Sequence, residues 1–281
     1  MGLEVCVLAS GSSGNCTWVS SGSSSLLVDC GLAARDIVKR LEEMGSGPKK
    51  LDAILISHAH TDHFRSAGTL FAKYHIPVFT ARETLRAIDH KPSCGSFWRV
   101  TECREFPSHV GDIGVTTFPV PHGGKEAGKP VGFVFEHEGK RLGHVTDCGE
   151  MPQKGLDLLK GADALVLEAN YHDAVLRGKL RDPAFAPYWS YLRWVDSPTG
   201  HLSNQQSADV LRRVLTEKTQ AVFPAHLSEN HYDERRDNND FATASSVIMM
   251  AVAELGLRTR ICRTYRKEKT PGKRSEAVRL D

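Results

Sequence analysis

The chain has 281 residues, 40% of them hydrophobic and 25% charged, with a formal net charge of +2. This is ordinary globular usage, enough for a sizeable core in one α/β unit, and a charge so nearly balanced names no partner by itself. Seven cysteines, an odd number without a CxxC pair, fit reduced thiols of a soluble, cytoplasmic protein better than a disulfide framework. No stretch approaches the length of a membrane span, and Glu4 interrupts the first apolar run, so no secretion signal is expected.

Residues 3–9 (LEVCVLA) read as a strand that ends in the glycine-serine loop SGSSGN (10–15). TWVSS and SLLVD (25–29) read together as a hairpin. Ala33, Ile37, Val38, Leu41 and Met44 recur at helical spacing, and Gly45 with Gly47-Pro48 stops that helix. AILIS (53–57) is a short continuous apolar strand of the kind covered on both faces. A helix over 63–74, the strand IPVFT and a short helix from Ala81 follow.

The middle is β-rich, with strands over 113–120, 131–137 and 141–147. Helices over 152–160, 203–217 and 240–255 then alternate with strands over 164–169, 220–224 and 258–264. No repeat of solenoid period is present. Two groups of strands, each accompanied by helices, predict an α/β fold of four layers, an αβ/βα sandwich of two mixed sheets flanked by helices. Residues 177–203 lack clear periodicity and are rich in Pro, Tyr, Trp and Arg, so they read as an ordered substrate-loop insertion in a domain of residues 1–263. From Arg263 onward, Arg263, Arg266, Lys267, Lys269, Lys273, Arg274 and Arg279 outnumber Glu268, Glu276 and Asp281. Residues 264–281 therefore read as a basic, solvated C-terminal tail.

The chemistry concentrates in SHAHTDH (57–63). Alternate residues of an extended segment point the same way, so His58 and His60 can reach one ion, while Asp62 and His63, at a helix start, face a second position beside it. Imidazole and carboxylate donors without cysteine suit zinc, manganese or iron rather than a structural zinc knot. Four donors on one loop cannot close two coordination spheres. His122, Asp147 and His226 each stand at a strand terminus, where further ligands are needed. His144 reads as core and His137 as solvent-facing; His75, His90 and His109 have no partner pattern.

This arrangement resembles the metallo-β-lactamase superfamily over nearly the whole chain. The resemblance implies a first divalent ion on His58, His60 and His122, a second on Asp62, His63 and His226, and Asp147 between them. Asp29, which ends the LLVD strand, would support the metal loop without ligating. Two ions ~3.5–4 Å apart would share a hydroxide and clamp the oxygen on which charge develops, with no covalent enzyme intermediate.

The substrate is narrowed by ASGSSGN, SHAHTDH, TDCG, LEAN with His172-Asp173, GHLSN and AHLS, which together resemble the YycJ/WalJ-type exonucleases; a further likeness links Glu168, His201 and His226 to the RNase J-type nucleases. These resemblances imply a dinuclear Mn²⁺- or Zn²⁺-dependent phosphodiesterase, a 5′-to-3′ exonuclease on DNA with preference for single strands and RNA as a further substrate. Asp62, Glu168 and His201 are then the residues expected to serve catalysis, Glu168 orienting a ligating histidine and His201 contacting the scissile phosphate or protonating the leaving oxygen. The expected substrate contacts are Ser12, Ser13 and Asn15 of the glycine-serine loop, His172, Ser203, Asn204, Trp189 and Arg193. The loop is either an anion nest or a flexible turn, and Ser203 is the expected cap of the helix that follows. Tyr188, Trp189, Tyr191 and Trp194 interleave with Arg177, Lys179, Arg181 and Arg193. Such a pattern either stacks unpaired bases while cations follow phosphates, or fills space under a long loop or in a homodimer contact. The competing functions are a small-molecule hydrolase of the same fold, acting on a cyclic nucleotide, thioester or lactone, and a metal-binding regulator without catalysis.

Overall fold

The computed structural model describes residues 2–89, 91, 103–228, 238–266 and 273–280. His90, Cys94 and the charges Lys267, Glu268, Lys269 and Asp281 lie outside the described residues. Two seven-stranded sheets face each other. The first holds β1 (Glu4–Ala9), β2 (Cys16–Ser20), β3 (Ser25–Val28), β4 (Ala53–Leu55), β5 (Val78–Phe79) and β6 (Cys103–Arg104), and the second holds β7 (His109–Val110), β8 (Ile113–Pro119), β9 (Val131–His137), β10 (Lys140–Val145), β11 (Ala164–Glu168), β12 (Ala221–Ala225) and β13 (Arg260–Ile261). The last strand, β14 (Val278–Arg279), returns to the first sheet beside β1. Each sheet is half antiparallel meander and half parallel: β14-β1-β2-β3 and β7-β8-β9-β10 are antiparallel, whereas β3-β4-β5-β6 and β10-β11-β12-β13 are parallel.

Helices α1 (Ala34–Glu42), α2 (Thr61–Phe64), α3 (Ala67–Tyr74) and α4 (Arg82–Asp89) belong to the first half. Helices α5 (Gln153–Leu159), α6 (Asp173–Lys179), α7 (Trp189–Val195), α8 (Asn204–Val214) and α9 (Phe241–Glu254) belong to the second. Side-chain alternation builds three cores from these layers. In β1, Val5 and Val7 enter the core between the sheets, whereas Cys6 and Leu8 enter the one under α1 and α3. In β11, Ala164 and Val166 face the other sheet, and Leu165 and Leu167 face α5, α8 and α9. Fully burying each such aliphatic side chain is worth about 1.5–3 kcal/mol. No helix among the described residues is long and apolar enough to cross a membrane.

Three expectations change. The helix expected over 63–74 is two helices, α2 and α3, because the chain bends back at Arg65–Ser66, where Ser66 N donates to Cys30 O at 3.0 Å. The segment 177–203 is helical rather than an irregular loop: α6, a 3₁₀ turn over Pro183–Tyr188 and α7 pack Tyr171, Leu176, Leu192 and Val195 into a small core of their own. Nor does the basic segment end as a free tail. Val278 pairs with Val5, Ser275 Oγ accepts from Val7 N at 2.9 Å, and Leu280 is fully buried.

Candidate metal centre

Strands β3, β4, β8, β10 and β12 deliver their carboxyl ends to one edge, and the candidate ligands stand beyond those ends. Asp29 follows β3, His58 and His60 follow β4, His122 follows β8, Asp147 follows β10, and His226 follows β12. Asp29, Asp147 and His226 take φ of 61°, 56° and 51°. Such left-handed backbone at a non-glycine residue costs on the order of 1 kcal/mol or more, and the surrounding packing has to hold it. The metal loop is strapped by backbone hydrogen bonds: Cys30 N donates to His63 O at 2.7 Å, and Asn15 N to Asp62 O at 2.8 Å. A methyl at Gly31 would stand 1.6 Å from Asp62 O, so only glycine lets the turn after β3 approach α2 this closely.

Seven side chains converge here. Ligand atoms of His58, His60, His122 and Asp147 lie within 4.8 Å of one another, as do those of Asp62, His63 and His226. Asp147 spans the two groups, with Oδ1 3.4 Å from His122 Nε2 and Oδ2 3.0 Å from His63 Nε2.

Each ring is oriented by the nitrogen that points away. His122 Nδ1 donates to Gly200 O at 2.8 Å, and a carbonyl can only accept, so the lone pair sits on Nε2. His63 Nδ1 lies 2.7 Å from Asp29 Oδ2, and His226 Nδ1 lies 3.0 Å from Glu168 Oε1. Ser57 Oγ donates to Asp29 Oδ2 at 2.9 Å and so accepts from His58 Nδ1 at 3.0 Å. The inner atoms are left facing one another. His58 Nε2 and His122 Nε2 stand 2.9 and 3.2 Å from His60 Nδ1, while His226 Nε2 is buried without a hydrogen-bond partner. Bare lone pairs crowded in this way repel unless a cation lies among them, and two clusters sharing one carboxylate fit a dinuclear metal site.

The electrostatics of the two halves differ. Burial and the neighbouring imidazoles hold His58 well below its ordinary value and His60 at about 4, so both are neutral donors. Burial would also lower His63 and His226, but Asp147 and the other carboxylates prevail: His63 is raised well above its ordinary value, and His226 to about 10. Burial by itself would raise Asp147; His226, His63 and His122 instead keep it ionised. The second half is thus an anionic cage that demands positive charge.

Glu168 is fully buried at the end of β11 and accepts hydrogen bonds on both oxygens: Oε1 from His201 Nδ1 at 2.8 Å and His226 Nδ1, Oε2 from the Cys148 and Leu202 backbone N–H at 2.9 and 3.1 Å. Although burial opposes ionisation, these partners, His201 first, hold the carboxyl at about 2. His201 stacks on His226 with ring centroids 5.1 Å apart and lies 4.9 Å from the His122 ring.

The remaining candidate residues divide. Asn15 is buried, its Nδ2 donating to Gly11 O and to Asp62 Oδ2 at 3.1 and 3.2 Å, so it fixes the loop and a candidate ligand at once. Ser12 is exposed, and Ser13 Oγ is buried without a partner. Ser203 forms the capping box of α8 with Gln206, and Asn204 exchanges amide hydrogen bonds with Asn239. Both side chains are therefore turned inward. Trp189 donates Nε1 to Lys179 O at 3.0 Å, and Arg193 lies 5.7 Å over its ring. Trp189 and Arg193 thus brace each other, and two other aromatics flank the centre. Trp194 meets His201 edge-on at 5.3 Å and His122 at 5.7 Å, and Tyr191, 53% exposed, lies 5.8 Å from Trp194. The packing around the Tyr191 phenol and the nearby Asp62 and Asp147 carboxylates push its pKa up. The sequence reading chose Trp189 from these aromatics as a substrate contact, whereas Trp189 is turned against Lys179 O and it is Tyr191 and Trp194 that flank the centre. It did not single out Ser57, whose only signal is its place directly before the His58 motif.

The chain belongs to the metallo-β-lactamase superfamily: the family model described as "Beta-lactamase superfamily domain" matches residues 25–227. Within it the chain falls in the YycJ/WalJ branch. It is 32% identical over 261 residues to the exodeoxyribonuclease YycJ of Bacillus anthracis, covering 91% of each chain. It is 31% identical over 266 residues to the exodeoxyribonuclease WalJ of Streptococcus pneumoniae, covering 92% of this chain and 91% of the relative. Among solved structures, Zn(2+)-bound PqqB from Methylobacterium extorquens shares the fold, with a TM-score of 0.63 and 16% identity over 93% of this chain and 98% of that one.

Proposed function

We propose that the chain is a dinuclear-metal phosphodiesterase that hydrolyses DNA from an end, in the 5′-to-3′ direction and with preference for single strands. Its support is the pairing of a two-cluster donor site with a buried Glu168–His201 pair beside it, in a chain whose relatives over nine-tenths of its length are named exodeoxyribonucleases. The nitrogen and oxygen donor set suits Mn²⁺ or Zn²⁺. His58, His60 and His122 would hold one such ion and Asp62, His63 and His226 the other, with Asp147 available to both, and bound metal would supply an acidified water and neutralise phosphate charge.

The residues of the chain do the rest. Glu168 Oε1 fixes His201 through Nδ1, which leaves Nε2 as the atom that can meet the phosphate or the leaving oxygen. A proton on that Nε2 is the one a leaving alkoxide can take. Tyr191 and Trp194 offer ring faces at the margin of the centre, where a base freed from the duplex stack can lie against them.

The test is digestion of end-labelled single- and double-stranded DNA and RNA with Mn²⁺ or Zn²⁺. Mononucleotides released from the 5′ end of single-stranded DNA ahead of the other substrates are expected. Turnover of small thioesters, lactones or cyclic nucleotides with no nucleic-acid cleavage under either ion would instead establish the small-molecule hydrolase.

A further inference from the structure

The four cations of the 177–203 segment fall into two pairs. Lys179 is buried, donates to Asn238 Oδ1 at 2.9 Å and lies 5.4 Å over the Phe185 ring, while Arg193 covers Trp189. These two hold the α6–α7 unit together. Arg177 and Arg181 are exposed and four residues apart, and among the described residues neither guanidinium is engaged in a hydrogen bond or ion pair. Both line a cavity of about 570 Å³ together with His172, Asp173, Asn204 and Gln205. That volume falls within the usual range of small-ligand sites, about 300–1,000 Å³.

The lining favours an anion. Its two guanidiniums outnumber its one carboxylate, Asp173, and the His172 side chain stands among them. Asn204 and Gln205 are the first two residues of α8, whose amino end adds partial positive charge. A guanidinium presents a planar fork of donors that matches a phosphate, and here no existing ion pair has to be broken to use it.

Position decides which phosphate. Asn204 is three residues beyond His201 and His172 is four beyond Glu168, and three residues of extended chain span at most about 11 Å. The wall of the cavity therefore begins a nucleotide or two from the metal centre. We propose that this cavity is a second anion site that takes a backbone phosphate of the strand whose scissile phosphate lies between the two clusters. The proposal rests on the nucleic-acid reading above and extends it: the chain grips its substrate at two phosphates, one at the metals and one between α6 and α8.

Steady-state kinetics of the metal-loaded protein on a long single strand and on a dinucleotide test it. R177E/R181E is expected to raise KM for the long strand about tenfold or more and to leave kcat within about twofold. The advantage of the long strand over the dinucleotide collapses accordingly. The slope of log KM against log salt falls by about 0.7 for each phosphate that the protein no longer neutralises. R177A/R181A, which introduces no new charge next to Asp173, shifts KM in the same direction by a smaller factor, and R177K/R181K keeps most of the salt slope. Wild-type KM and salt slope in both the alanine and the glutamate pair, with DNA still cleaved, would overturn the second site while leaving the function intact. Failure of the wild-type chain to cleave any nucleic acid would overturn the function and the second site together.

Discussion

At the residue scale, the candidate centre depends on atoms at the back of each ring. Asp29, Ser57, Gly200 O and Glu168 take the outward nitrogens of His63, His58, His122 and His226, and the lone pairs that remain point inward. His201 shares Glu168 with His226, yet its proposed partner is the substrate. His201→Ala should therefore keep two equivalents of metal by elemental analysis and lower kcat about 10²–10⁴-fold on unactivated DNA diesters. A p-nitrophenyl diester, whose leaving group needs no proton, should lose far less; a drop in metal content in this variant would mean that the assigned role is wrong. A second prediction concerns His144, buried between the sheets with Nε2 3.1 Å from Thr17 Oγ1 and held at about 4 chiefly by burial. The unfolded chain takes up this proton near pH 6.5 and the fold only near 4. His144 therefore subtracts nothing above pH 6.5, and stability falls through that window, by roughly 3 kcal/mol once the pH is below 4. In chelator-treated protein, His144→Asn should lose less of its melting temperature between pH 6.5 and 4 than the wild type; parallel curves would refute this. The ligating residue types were legible because HxHxDH and histidines or aspartates at strand ends are local patterns. Their orienting partners were less so: a backbone carbonyl such as Gly200 O has no sequence signature, and a serine such as Ser57 looks like any other.

At the scale of elements, close approach matters more than propensity. A methyl at Gly149 would meet Pro198 O at 2.4 Å and Gly200 N at 2.6 Å, so the turn after β10 sits directly against the segment that carries His201. Gly149→Ala should push that segment outward, lower melting by the equivalent of about 1–3 kcal/mol, and reduce kcat more than it changes KM. An unchanged kcat would show that His201 does not depend on this contact. The same scale explains what was missed in 177–203. Pro183 and Pro187 interrupt any helical period, and α6 and α7 are each seven residues long, too short for a repeating apolar face to stand out. The packing roles of Lys179 and Trp189 became visible only once α6 and α7 were folded against each other. Strands β6, β7 and β14 are two residues each and were likewise below what alternation can signal.

For the whole molecule, the long elements were legible and their arrangement followed from them. Continuous apolar strands such as β4 and β11 need cover on both faces, and helices alternating with them supply it, which yields four layers. The basic C-terminal segment was misread because its charges were counted without its partners: Ser275, Val278 and Leu280 close the first sheet beside β1. The layered frame brings donors from residues 58 to 226 to a single edge, and the proposed chemistry turns on what those donors hold. The most direct test is elemental analysis combined with anomalous diffraction on protein reconstituted with Mn²⁺ or Zn²⁺. Two ions per chain, about 3.5–4 Å apart with Asp147 between them, are expected. One ion or none, or ions bound away from His58, His122 and His226, would contradict it.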